Sequence, residues 1–446
     1  MTLFGRAFVF LLFTLPALPL CAQLASGPML GPVDHREAIV WVQTEEPAEV
    51  HAEFWPLDTQ ASTSVSPRIL TRAEEHFTAH LVLGPLEPGT QYGYRVYIDG
   101  ETIEPDAANF HTPPDFRDRF PPPDVFLAFV GGHYVNDRPY DPLNRIPGAG
   151  YEIYEAIAQV DPFALIWLGN TVHLREPDWG SPSGMAARFQ RGRNIPELAS
   201  LLAGTPQWGT WGRHDAGPPD LLATGPDREW SRAIFRDFWP RRGRGIGGPG
   251  ADNDLATTLR VSDVELFLLD DRSHRNLAAR SEAHRIIYGE PQLDWLLWRL
   301  RTSPATFKVV CSASAILNPA EGPGNATQAP REREGFLEAL RQEKIGGVLF
   351  ITGGKPFGEL TRLVRSRAQD LHELTVGPAT ARPAERTDEI NYLREPGTTT
   401  RQRHFVLARF HGPEGQRQVT LSVRDTNGEE LWSRTLSEEA LSWDRR

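Results

Sequence analysis

Few side chains in this 446-residue sequence fall into patterns that do chemistry, and most of those are histidines and cations that follow short apolar runs. His214-Asp215 sets an imidazole beside a carboxylate, a pairing used for general acid–base work. His133 and His173 each follow an apolar segment, with Asn170 three residues before His173. Arg213, Arg272 and Lys355 are cations, and such side chains suit recognition of an anion. Two outcomes stay open for them. Arg272 pairs with Asp270 or Asp271 and Arg213 with Asp215, leaving nothing bound, or the group holds phosphate or another anion.

Other chemistries are poorly served. No Gly-x-Ser-x-Gly elbow occurs, and Cys311, after an apolar strand, reads as a buried thiol. The Gly243–Gly250 run is not preceded by the strand that a phosphate-cradling loop needs, so it reads as a loose rim. Asp252-Asn253-Asp254 lacks the later glycine and glutamate of a calcium loop. Asn325-Ala326-Thr327 is a glycosylation sequon, meaningful only in a eukaryotic secretory route. Trp167, Trp179, Trp208 and Trp211 either pack in the core or line an apolar, sugar-binding wall.

The elements that must hold these residues fall into two grammars. From Leu24 to His111 the hydrophobic period is two: Ala48, Val50, Ala52 and Phe54 alternate with Glu49, His51 and Glu53, and Phe77, Ala79, Leu81 and Leu83 repeat the pattern. Leu86 to Tyr92 followed by an alternating strand resembles the tyrosine-corner region of fibronectin type III-like sandwiches. Residues 112–124 carry Pro113, Pro114, Pro121, Pro122 and Pro123 and read as a stiff linker. Beyond it, 125–130, 163–168, 264–269, 307–310 and 348–351 are apolar runs of the kind buried on both faces, and Ile153/Ile157/Val160 and Leu293/Leu296/Leu297/Leu300 form helical stripes. This predicts a layered α/β domain over 125–446, closed by antiparallel strands at 405–410 and 419–423, with its chemistry in the loops after the strands.

Composition sets outer bounds. With 40% hydrophobic, 10% aromatic and 24% charged residues the chain is of ordinary globular type, and a net charge of −11 argues against general binding to nucleic acid or anionic membranes. Arg6 and the apolar stretch Ala7–Leu20 predict a signal peptide over 1–22, too short to span a bilayer, and hence a secreted or periplasmic protein. Loss of Cys21 with that leader leaves Cys311 alone, so no intrachain disulfide can form.

Several loops resemble those of the alkaline phosphatase D (PhoD-like) family of calcineurin-like metallophosphoesterases. The resemblance rests on Tyr134-Val135-Asn136-Asp137, Gly150-Tyr151-Glu152-Ile153, Trp167-Leu168-Gly169 and Leu174 to Trp179, then on Leu268 to Arg272 with Arg275, Leu317-Asn318-Pro319 and Ile351-Thr352-Gly353. It implies a four-layered α/β/β/α core behind a small N-terminal all-β sandwich, and hydrolysis of phosphate esters at a multinuclear metal centre. The ligands that the family pattern requires are missing. Gly131-Gly132 replace a Ser-Cys pair, Asn170 replaces an aspartate, Gly212 and Arg213 replace two aspartates, and Gly354-Lys355-Pro356-Phe357 replaces Asp-Arg-His-His.

Losses in all four metal-binding loops, with the scaffold between them intact, predict no metal and no cofactor: cations where carboxylates stood repel a metal ion. The expected site is anion-binding, formed by His133, Asn170, His173, Arg213, His214, Arg272 and Lys355, with His214 and Asp215 as a relic catalytic pair. The leading functional expectation is a secreted pseudophosphatase with a binding or regulatory role. The alternatives are an active phosphodiesterase using a reorganised site, and a glycan- or envelope-binding protein acting through the sandwich and the tryptophans.

Overall fold

The computed structural model describes residues 23–58, 63–103, 108–137, 140–141, 147–217, 226–241, 255–366 and 368–443. The leader, Gly243–Gly250 and Asp252-Asn253-Asp254 lie outside these residues.

The period-two segments of the N-terminal region pair as two antiparallel sheets. Leu24–Val33, Ala38–Thr44 and Thr78–Leu83 form one, and Glu49–Pro56 with Gln91–Ile98 form the centre of the other. Alternation sends Val50, Ala52 and Phe54 of one central strand, and Tyr92, Tyr94, Val96 and Ile98 of its neighbour, into a shared core. Tyr92 closes the corner by accepting a hydrogen bond on its hydroxyl from the Glu87 backbone N–H at 2.8 Å. The first sheet docks on the larger domain: the Trp41 indole N–H donates to the Asp237 carbonyl at 2.8 Å, and His76 meets the Asp237 carboxylate at 2.8 Å.

The larger domain stacks two six-stranded sheets. In one, Gln207–Thr210, Ala164–Leu168 and Val125–Val130 run parallel and continue antiparallel into Phe405–His411, Gln418–Arg424 and Glu430–Ser437. In the other, Val264–Leu268, Phe307–Ser312, Val348–Thr352 and Leu371–Thr375 are parallel, with antiparallel edge strands Thr257–Val261 and Glu359–Leu363. The strand Val125–Val130 shows why these runs are almost wholly apolar. Val125, Leu127 and Phe129 face the opposite sheet, whereas Ala128 and Val130 face helices. Helices Ile153–Val160, Pro182–Arg193, Pro196–Gly204 and Pro226–Phe238 flank the first sheet, and Glu290–Thr302 and Pro330–Gln342 the second. The order is helix, sheet, sheet, helix, as expected. The parallel strands of both sheets deliver their following loops to one edge of the sandwich of sheets, where the site lies.

Candidate functional site: a cationic cleft at the strand ends

A cleft of about 740 Å³ opens at that edge. Its floor and walls include Asn170, His173, Arg213, His214, Arg272 and Lys355, so six of the seven residues expected to meet an anion converge there. Five cationic side chains, Arg213, Arg272, Lys355, Arg382 and Arg386, line it against three acidic ones, Glu321, Asp388 and Glu389. An electropositive cleft in a chain of net charge −11 is a local inversion of the global field.

The cations differ in their commitments. Arg272 Nε lies 3.0 Å from Asp271 Oδ1, both buried, and Lys355 Nζ donates to Glu389 Oε2 at 2.6 Å. Those two are neutralised in place. Arg213 is half-buried and, among the described residues, makes no ion pair or hydrogen bond. The pairing of Arg213 with Asp215 is absent for a visible reason. Asp215 is fully buried and occupied by the backbone N–H groups of Gly212 (2.6 Å) and Val172 (2.8 Å) and the Thr171 hydroxyl (2.9 Å). Burial pushes its carboxyl up to about 7 against those bonds.

The same commitment dissolves the relic dyad: no hydrogen bond links Asp215 to the His214 ring. His214 instead stacks on His173, with ring centroids 4.3 Å apart and planes 8° from parallel. Burial, then the charges of Arg213 and Arg272, lower His214 to about 4. Burial, then His214, hold His173 well below the usual histidine value. Two neutral imidazoles therefore face the cleft at pH 7 beside an unpaired guanidinium.

His133 is a correction. It does not line the cleft: it is 2% exposed, its Nε2 donates to the Gly192 carbonyl at 2.8 Å, and its Nδ1 meets the Tyr154 hydroxyl at 2.5 Å. Gly132 turns the chain in the left-handed region, φ +55°, and carries His133 behind the wall. Of the two readings of the tryptophans, core packing is the one the structure bears out. Trp167, Trp208 and Trp211 are at most 5% exposed, Trp179 packs on the core, and none lines the cleft; Trp211 spends its indole N–H on Asp270 at 2.7 Å. Asn325 of the sequon is fully buried and donates to the Ala320 carbonyl at 2.8 Å, so it is closed to glycosylation in the folded chain. Cys311 is buried as expected, which pushes its thiol up.

A metal centre can be tested against this donor set. Among the described residues no group of three or more histidine, cysteine or carboxylate side chains is arranged to hold a metal ion. Asp270 accepts from Trp211, Leu255, Arg272 and Ser273, and Asp271 from Ser314, so the two carboxylates that follow strand Val264–Leu268 are turned inward. Backbone closure goes further than side-chain loss. A Cβ added to Gly212 would sit 2.6 Å from Asn170 Oδ1 and 2.7 Å from the Asn170 nitrogen. A Cβ on Gly354, at φ +73°, would overlap the Ala313 carbonyl oxygen. The loops have closed over the points from which carboxylates would project, and the residues present do not fit a transition-metal centre.

Glu389 and the segment around it were not legible from sequence. Lys355, Asn318 (2.6 Å) and Asn325 (3.3 Å) all converge on its carboxylate, which ties residues 381–389 over the cleft mouth. Nothing near Glu389 in sequence marks it, because its partners are 34, 71 and 64 positions away.

Comparison with known proteins agrees with this geometry at the level of fold. Residues 228–420 match the family model of PhoD-like phosphatases, and residues 21–116 match a domain of unknown function, DUF7800. No curated protein sequence matches the chain. The solved structure of PhoD is 15% identical, with a TM-score of 0.74 over 95% of this chain and 94% of that one. The purple acid phosphatase PPD1 from yellow lupin (Lupinus luteus) seeds is 14% identical, with a TM-score of 0.66 over 92% of this chain and 74% of that one. The resemblance to PhoD-like phosphatases stands, and the calcineurin-like layered fold with its N-terminal β domain stands with it.

Proposed function

We propose that this PhoD-like chain is an exported pseudophosphatase, a protein that recognises an anionic phosphate-bearing ligand in the old catalytic cleft without a metal and without hydrolysing it. The observation that carries this reading is Arg213: an unpaired guanidinium beside two neutral imidazoles, at a position where the family pattern has a carboxylate. A guanidinium offers a planar fork of donors to a tetrahedral anion, and in a partly buried cleft that contact is worth about 1.5–3 kcal/mol. Hydrolysis needs an activated water and a proton donor. Asp215, spent on backbone groups, leaves no oriented imidazole for the second role, and the closed glycines leave no cage for the first. That weighs against the active-hydrolase reading.

Export is part of the proposal and rests on Arg6 and the apolar stretch to Leu20. No helix among the described residues is long and apolar enough to cross a membrane. Calorimetric titration with inorganic phosphate, paired with turnover of bis(p-nitrophenyl) phosphate in the presence of manganese, iron or calcium, tests the function. The expected result is saturable phosphate binding, weakened in Arg213→Ala, with no turnover. Turnover that depends on added metal would overturn it.

A further inference from the structure

Beside the cleft lies a second, much smaller cavity of about 10 Å³, bounded by His133, Val172, His173, Arg188 and Gly192 among others. That is room for one water molecule, which needs two to four polar partners. Two of these lining residues each carry a buried polar atom with no partner in the protein: Nε2 of His173 and Nη1 of Arg188. The remainder of Arg188 is committed. Its Nε donates to Asp178 Oδ2 at 3.1 Å, its Nη2 faces Asp137 Oδ2 at 3.7 Å, and the side chain is 7% exposed. His133 brings no free nitrogen, since Gly192 and Tyr154 take both. Leaving a guanidinium N–H and an imidazole nitrogen unpaired on one small void costs about 1–3 kcal/mol each.

We infer that one ordered water fills this cavity, accepting from Arg188 Nη1 and donating to His173 Nε2, and so holds His173 as the neutral tautomer protonated on Nδ1. A guanidinium has no lone pair, so the water must present its oxygen to Arg188 and send its protons elsewhere. His173 Nε2 takes one. Gly192, whose carbonyl uses one lone pair on His133, also bounds the cavity and offers the second. Arg188, on the inner face of helix Pro182–Arg193, is thereby a positioning residue for a ring that lines the cleft. If the anion reading above holds, the Nδ1–H of His173 is a neutral donor beside Arg213; the tautomer itself does not depend on that reading.

Nitrogen-15 NMR of the full-length protein at pH 7 reads the tautomer directly. The expected spectrum shows His173 with a protonated Nδ1 and a bare Nε2. Arg188→Met is expected to abolish that preference and to weaken inorganic phosphate binding by about three- to tenfold. A wild-type His173 protonated on Nε2, or on both nitrogens, overturns the inference. So does an unchanged tautomer in a folded Arg188→Met protein. Absence of phosphate binding alongside the expected tautomer would refute the anion reading and leave the water bridge standing. The wild-type spectrum decides the question even if the variant fails to fold.

Discussion

Restoring an aspartate at Gly354 is the sharpest perturbation of the cleft. The residue sits at φ +73°, where any side chain but glycine costs about 1–2 kcal/mol. Its Cβ would overlap the Ala313 carbonyl oxygen, a backbone atom that cannot swing aside like the end of a side chain. Forcing an extra group into packed backbone costs a further ~1–3 kcal/mol. Gly354→Asp is therefore expected to lose about 2–5 kcal/mol. Gly212→Asp, which meets Asn170 at 2.6 Å without the unfavourable φ, is expected to lose about 1–3 kcal/mol by packing alone. Asn170→Asp serves as the control. It keeps the acceptor that the His214 backbone N–H uses at 3.0 Å, and position 170 already carries a side chain at a left-handed φ of +51°, so the exchange adds no new backbone cost. It should cost under about 1 kcal/mol. Urea unfolding followed by tryptophan fluorescence measures all three. A Gly354→Asp protein as stable as wild type would show that the loop opens freely, and would refute the claim that backbone closure bars the ligands.

Further outcomes follow from the same geometry. Arg213→Ala should weaken phosphate binding by about ten- to a hundredfold, the loss of a charge-assisted contact of about 1.5–3 kcal/mol, while leaving the unfolding midpoint nearly unchanged because Arg213 supports no partner; a parallel drop in stability would contradict this. Lys355→Met should cost about 1–3 kcal/mol and raise hydrogen exchange at residues 381–389, because it removes the charged partner of Glu389 and leaves only Asn318 and Asn325 on its carboxylate; unaltered exchange there would refute the tether. Acid should destabilise the fold between pH 6.5 and 4. Burial lowers His133 and His404 to about 4, so the unfolded chain takes up protons that the folded chain refuses, and each contributes about 3 kcal/mol that is lost as pH falls. His214 and His173 act in the same direction, whereas Asp215, raised to about 7, acts against them, and a pH series of urea midpoints reads the net fall.

Much of the fold was legible because both of its grammars are written in apolar spacing. The strand Val125–Val130 matched its expected bounds, and the other predicted strands lie within two residues of theirs, since runs buried on both faces leave no room for polar residues. Four of the six helices that flank the sheets went unread. Pro182–Arg193 has little apolar character overall and buries Arg188 and Arg193 beside Met185, Ala186 and Phe189, so its inner face does not read as a continuous apolar stripe. A local signal was present in Ser181-Pro182, where the serine hydroxyl accepts from the Gly184 backbone N–H and proline takes the first turn. In the cleft, residue types at the strand ends were readable, and orientations were not. His133 and His214 both follow strands, but the left-handed turn at Gly132 sends one into the core while the other reaches the cleft. Pairings such as Lys355 with Glu389 depend on tertiary closure that no spacing encodes.

The central claim is that the cleft cannot seat the metal ions on which this fold's phosphatase chemistry depends. Crystals of protein purified without metal supplementation, then soaked in manganese, measure it most directly by anomalous scattering at the manganese edge. The account predicts no anomalous peak among Asn170, Arg213, His214 and Gly354. A well-occupied peak there, with protein atoms at coordination distance, would contradict it.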